Sequence, residues 1–276
     1  MTGYTFDADT AVAYQDRSPS GHTARYAATV TDRWSALGGG PNGGYLLGIC
    51  LRALRTEIPE SHPDPLVVSA FFLRPGAAGP TELHTEVVRV GRRIATGQVT
   101  MAQGGKESVR VVANFADLGT ARGRTEVFSE PPKLPAPDDC VDLTGGQSIP
   151  GLTIADRFEY RFPEAPGWQQ GRPSGEPYNE FWLRFADGRD PDTLSLAPLV
   201  DAGVPAVIEL GEHASSTVEL TVHVRARPAP GWVACRVYTQ YLIDGYHEED
   251  FEIWDSAGSL VAQGRQLALL PPKPAH

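Results

Sequence analysis

The chain has 276 residues, enough for one large domain or two of modest size, and its 41% hydrophobic and 21% charged residues make an ordinary globular composition. A formal charge of −10 argues against a nucleic-acid partner, because phosphate contacts need a basic surface. Cys50, Cys140 and Cys235 are widely spaced and form neither a zinc pattern nor a disulfide framework. Cys50 and Cys235 lie in apolar surroundings and read as small core residues.

Met1-Thr2-Gly3-Tyr4-Thr5-Phe6 has no basic flank and no apolar run, so no signal peptide is expected and the location is read as cytoplasmic. Residues 1–30 are polar with scattered aromatics, and a short strand is predicted at 26–31. Next comes Pro41-Asn42-Gly43-Gly44-Tyr45-Leu46-Leu47-Gly48-Ile49-Cys50-Leu51-Arg52-Ala53-Leu54. Glycines and a proline lead into about three turns that are apolar on nearly every side, and such a helix is normally buried all round. It is too short for a bilayer, which needs roughly 20 apolar residues. The pattern therefore predicts a central helix wrapped by protein, ending before Pro59. Strands are predicted at 66–73, 81–90, 94–101 and 108–115, separated at hairpin spacing by glycine-bearing turns. Arg89, Arg92 and Arg93 cluster at one of these turns and read as a solvated hairpin rather than a phosphate site.

Residues 117–155 have weak periodicity and contain Pro131-Pro132-Lys133-Leu134-Pro135-Ala136-Pro137, which is linker composition. Beyond it, strands are predicted at 157–162 and 180–185, then an apolar run of helical length at 193–208 with Asp192 placed to cap it. Further strands are predicted at 216–225, 233–242, 249–254 and 260–270. The two halves can be laid over each other: Arg74-Pro75 matches Arg227-Pro228 at an offset of 153, and Gly105 meets Gly258 at the same offset. A helix followed by an antiparallel meander, present twice, indicates an internal duplication. The expected domains are 1–118 and 156–276, joined by a linker at 119–155.

Asp201 is the only ionisable side chain between Leu194 and Ile208. A carboxylate embedded in a buried helix is costly unless hydrogen-bonded, which makes it a functional candidate. Gln266 shares one strand face with Ala262, Gly264 and Ala268, a small-residue face that lets a helix approach closely. Thr217 begins the strand whose Val218, Leu220, Val222 and Val224 form the expected apolar face. Alternation sets Thr217 opposite Val218, so Ser216 competes with it as the site hydroxyl. The first half's helix carries no acid, so one chemical centre per chain is expected.

Several other motifs fail. Gly38, Gly40 and Gly43 match G-x-G-x-x-G, but antiparallel hairpins follow where a dinucleotide fold needs a parallel strand. No G-x-S-x-G serine elbow exists. His247-Glu248-Glu249-Asp250 has no second ligand cluster and reads as a polar hairpin end, so no metal is expected.

In the first half, Pro41-Asn42-Gly43-Gly44-Tyr45-Leu46-Leu47 and Phe71-Phe72-Leu73-Arg74-Pro75 carry a family resemblance, as do Leu199-Val200-Asp201-Ala202, Thr217-Val218-Glu219-Leu220-Thr221 and Leu260-Val261-Ala262-Gln263-Gly264-Arg265-Gln266 in the second. In this order the chain resembles the acyl-CoA thioesterase II family. The resemblance implies an α+β double hotdog fold, two tandem copies of a long helix wrapped by a curled antiparallel sheet. It implies hydrolysis of an acyl-CoA thioester to free acid and CoA in fatty acid metabolism, with no metal or redox cofactor. Asp201, Thr217 and Gln266 would hold the attacking water, and Asn42, Gly43 and Gly44 would contact substrate through helix N-terminal amides or else only permit tight packing. The implied assembly is a homodimer of double hotdogs, with neither nucleic acid nor membrane as partner. Alternatives are a non-catalytic acyl-CoA or acyl-carrier binding protein and a hotdog enoyl-CoA hydratase. The hydratase is disfavoured because the helix regions carry no histidine.

Overall fold

The computed structural model describes residues 3–271; residues 1–2 and 272–276, the outer ends of the two expected domains, lie outside the described residues. The first half runs α1 (Thr5–Asp9), β1 (Ala13–Arg17), β2 (Thr23–Val30), α2 (Gly43–Glu57), β3 (Asp64–Phe72), β4 (Gly79–Val90), β5 (Ala95–Gln103) and β6 (Lys106–Ala116). The second runs β7 (Val141–Asp142), β8 (Phe158–Phe162), β9 (Tyr178–Phe185), α3 (Leu196–Asp201), β10 (Ser216–Val224), β11 (Val233–Tyr238), β12 (Leu242–Ile243), β13 (Tyr246–Trp254) and β14 (Leu260–Leu269). The short α1 and β1 occupy a stretch where the sequence pattern indicated only one strand.

The Asn42 side chain starts α2, its Oδ1 accepting from the Tyr45 N–H at 3.0 Å. Such a cap contributes about 1 kcal/mol. Pro59 follows the C-cap Ile58 and prevents continuation. Leu47, Ile49, Cys50, Leu51 and Leu54 on α2 are fully buried, so the helix is enclosed on every side as its composition predicts. Each of the larger side chains gains roughly 1.5–3 kcal/mol from that burial. The helix packs against β2, β4, β5 and β6 of its own half and against α3 of the other. Cys50 and Cys235 are buried free thiols, and burial pushes both well above their ordinary range. Arg89, Arg92 and Arg93 are exposed around the β4–β5 turn.

Thirteen strands pair in the order β1-β2-β4-β5-β6-β3-β10-β14-β13-β11-β9-β8-β7, with β12 joined to β13. Read outward from the central β3–β10 pair, the order repeats: β3-β6-β5-β4-β2 on one side and β10-β14-β13-β11-β9 on the other. The helix lies between the first and second strand of each set in chain order. All pairings between these strands are antiparallel, and Ser69 and Thr221 link their hydroxyls across the β3–β10 junction at 3.0 Å. Gly105 and Gly258 occupy the corresponding last hairpin turns, as the offset predicts. Among the described residues no helix is long and apolar enough to cross a membrane.

The expected second helix at 193–208 is not continuous. Only Leu196–Asp201 is α-helical, and Ala206–Leu210 forms a separate 3-10 turn. Gly203 and Pro205 break it, the first by backbone entropy and the second by lacking an N–H and clashing with the preceding turn. Asp192 still acts near the start, its Oδ1 accepting from Ser195 N–H at 2.8 Å. The break exposes the last carbonyls of α3, and two side chains meet them: Asn42 Nδ2 donates to Asp201 O at 3.0 Å and Tyr160 Oη to Ala202 O at 2.8 Å.

Ala262, Gly264, Gln266 and Ala268 are all buried on one face of β14, as alternation predicts. A Cβ on Gly264 would stand 2.5 Å from Val200 Cγ1 of α3. Gly264→Ala is therefore expected to destabilise the protein by about 1–3 kcal/mol through overpacking. Equilibrium unfolding checks this, and a variant as stable as wild type would mean the helix is free to shift.

Candidate active site

The end of α3 and the start of α2 meet head to tail. Asp201, the last residue of α3, directs its carboxylate at the α2 N-terminus, where Oδ2 accepts from Asn42 Nδ2 at 2.8 Å and from the Gly44 N–H at 2.6 Å. The first-turn amides carry the positive end of the helix dipole, so they favour a negative charge there. One side chain thus serves two helices: Asn42 caps α2 with its oxygen and binds Asp201 with its nitrogen.

Glycine allows this contact. A Cβ on Gly44 would lie 2.8 Å from Asp201 Cβ and 2.8 Å from Pro198 O, while one on Gly43 would meet the Phe72 ring at 2.8 Å and Asp201 Oδ2 at 3.2 Å. Burial raises Asp201, and the bonds from Gly44 and Asn42 only partly draw it back, leaving it at about 6. Some of the residue's surface still reaches solvent although its carboxylate is packed about by protein. Among the described residues no donor reaches Oδ1.

The second group lies on the sheet beneath α3. Thr217 Oγ1 donates to Gln266 Oε1 at 2.7 Å, so two of the three expected water-holding residues touch directly. Simple alternation would send Thr217 away from Gln266. A β-bulge between Thr217 and Glu219 inserts Val218 as an extra residue, reversing the parity at the strand start. Val218 is 40% exposed and does not belong to the apolar face on which it was expected, while Leu220, Val222 and Val224 do. Ser216 is exposed, whereas the Thr217 hydroxyl is the one bonded to Gln266. Asp201 makes no hydrogen bond to Thr217 or Gln266; its neighbour Val200 packs over Gly264, two residues before Gln266 on the same face.

Two family models cover most of the chain: residues 30–116 match the acyl-CoA thioesterase N-terminal domain and residues 137–270 the acyl-CoA thioesterase C-terminal domain. The chain belongs to the acyl-CoA thioesterase family. The chain is similar to a solved candidate thioesterase II from Thermobifida fusca, at 30% identity over 99% of each chain with a TM-score of 0.83. A hot dog fold protein from Alicyclobacillus acidocaldarius superposes with a TM-score of 0.84 over 99% of this chain and 100% of its own, at 22% identity. An uncharacterized protein of Mycobacterium tuberculosis is 26% identical over 278 residues, spanning 93% of this chain and 94% of its own. The architecture is thus a hotdog fold.

Within this family fold, Asn42 and Gly44 turn their donors to Asp201. The Gly43 N–H makes no hydrogen bond among the described residues.

The site also contains a residue that the sequence reading assigned elsewhere. Glu249 was expected at a polar hairpin end, but it lies inside β13, directly opposite Gln266 on β14, and is 1% exposed. Its Oε1 accepts from Gln266 Nε2 at 2.8 Å and its Oε2 from the Ala206 N–H at 2.6 Å. Burial pushes it up to about 8, opposed by those two bonds and helped by the nearby charge of Asp201. Alternation held the signal: His247, Glu249, Phe251 and Ile253 share the inner face, whereas Glu248 and Asp250 face outward. His247 is buried beside it and meets Ser215 Oγ through Nε2 at 2.9 Å.

Proposed function

We propose that the protein is a double hotdog acyl-CoA thioesterase that hydrolyses an acyl-CoA to a free acid and CoA. The observation that carries this reading is the half-satisfied carboxylate of Asp201: Oδ2 is tied to the α2 N-terminus, while Oδ1 is left to take a proton. Thr217 and Gln266, already bonded to each other, orient the water. The water oxygen bonds to the thioester carbonyl carbon as its proton passes to Asp201 Oδ1. The carbonyl becomes an oxyanion, and the unbonded N–H of Gly43 is the donor offered to it. Collapse breaks the C–S bond, and the proton on Asp201 passes to the CoA sulfur, restoring the carboxylate. The two-domain division, a cytoplasmic setting, a homodimeric assembly and a place in fatty acid metabolism belong to the same proposal.

A panel of acyl-CoAs assayed for free CoA tests the reading. Release of CoA with an equivalent of acid is expected. Binding without release would make the protein a carrier, and hydration of an enoyl-CoA without release would make it a hydratase. The pH profile supplies a second check. Asp201 must be ionised to act as base, and burial lifts it to about 6, so kcat/KM should rise as pH climbs through about 6. A profile flat from pH 5 to 8 would remove Asp201 as the base.

A further inference from the structure

Gln266 is useful to a bound water only if its amide points one way round, and Thr217 and Asp201 do not decide which way. A hydroxyl can donate or accept, so Thr217 fits either end of the amide. An ionised carboxylate can only accept, and above about pH 8, where Glu249 is ionised, it stands on the other side of Gln266 with both oxygens facing N–H groups. We propose that the Glu249 carboxylate is a positioning residue that sets the Gln266 amide, and through it the direction of the Thr217 hydroxyl. This inference rests on the hydrolytic reading of the site.

The Ala206 N–H is a backbone donor that cannot turn round, and it fixes Glu249 Oε2 as its acceptor. Oε1 then demands a donor, which places Gln266 Nε2 toward β13 and Oε1 toward Thr217. Thr217 must donate to that oxygen, and its own oxygen is left as an acceptor only. A water held there gives one hydrogen to Thr217 and the other to Asp201, so its lone pair is turned to the thioester carbon. Glu249 touches neither water nor substrate in this scheme; it acts through Gln266.

The test is Glu249→Gln, which keeps shape and size. Its amide oxygen must take the Ala206 N–H, so its nitrogen faces Gln266 and turns that amide over. Thr217 then meets an N–H and swings its own hydrogen toward the water. At pH 9, where wild-type Glu249 is ionised, kcat should fall about 10- to 100-fold with KM changed less than about twofold. The double variant Glu249→Gln with Gln266→Glu exchanges the two groups and restores the donor order, so kcat should recover at least about tenfold over the single variant. A readout independent of turnover is the Gln266 side-chain amide resonance in 15N-labelled protein. It should move when Glu249 is replaced, because a charge-assisted bond is lost. Wild-type kcat in Glu249→Gln, a double variant no faster than the single one, or an unmoved amide resonance would overturn the assignment. If wild type releases no CoA while the amide resonance does move, the hydrolytic reading fails and the network stands.

Discussion

Asp201→Asn is expected to lower kcat by about 10²- to 10⁴-fold, the usual contribution of a positioned general base, without loss of stability at pH 8. The geometry separates the two effects. Both protein donors bind the same oxygen, Oδ2, so an asparagine that places its Oδ1 there keeps the bonds from Asn42 and Gly44. What it loses is the second oxygen, the one able to take a proton. Asp201 is raised from 3.8 to about 6, so its contribution to stability is fully present below the unfolded value and is lost as pH rises through about 6. Ionised wild type therefore carries a cost of at most on the order of 3 kcal/mol that the amide does not. Thermal unfolding at pH 8 should show the variant as stable as wild type or more so. A variant that is unstable and inactive together would make Asp201 a structural acid.

Gly44→Ala is expected to be as damaging by another route. In an ordinary helix interior the change would stabilise by about 0.5–1 kcal/mol, because alanine loses less backbone entropy. Here the new methyl would press on Pro198 O and Asp201 Cβ, each at 2.8 Å, and a backbone carbonyl has no rotamer by which to yield. The sign should reverse, to a loss of about 1–3 kcal/mol. Spreading α2 from α3 also stretches the 2.6 Å bond that fixes the carboxylate. Misplacement by about 1 Å at a reacting group can cost about 100-fold in rate, and kcat should fall on that scale. Denaturant unfolding and turnover, measured on one preparation, check both. Wild-type turnover would show that the helix-to-helix contact does not hold the base.

Features set by local rules were legible in the sequence. The burial of α2 followed from its composition, the strands from alternation and glycine turns, and the duplicated strand order from the 153 offset. Asp201 was visible because it is the only ionisable group in an apolar run. The break at Gly203 and Pro205 was also written there, but the apolar run obscured it. The bulge at Val218 is a backbone event that no side-chain pattern announces, and it decides that Thr217 faces Gln266. Glu249 lay on a readable alternation hidden by the acids on both sides of it. The pairing of Asn42 and Gly44 with Asp201 joins positions more than 150 residues apart, which local periodicity cannot report. The glycine-led helix is thereby more than a wall of the second half: it holds the acid.

The most direct test of the mechanism is a single turnover of an acyl-CoA in heavy-oxygen water, with the mass of the released acid and of the Asp201 peptide measured afterwards. If Asp201 activates a water, the first-turnover acid carries one heavy oxygen and Asp201 carries none. Heavy oxygen in the Asp201 carboxylate with an unlabelled first-turnover acid would mean that the carboxylate itself attacks the thioester, and would contradict the account.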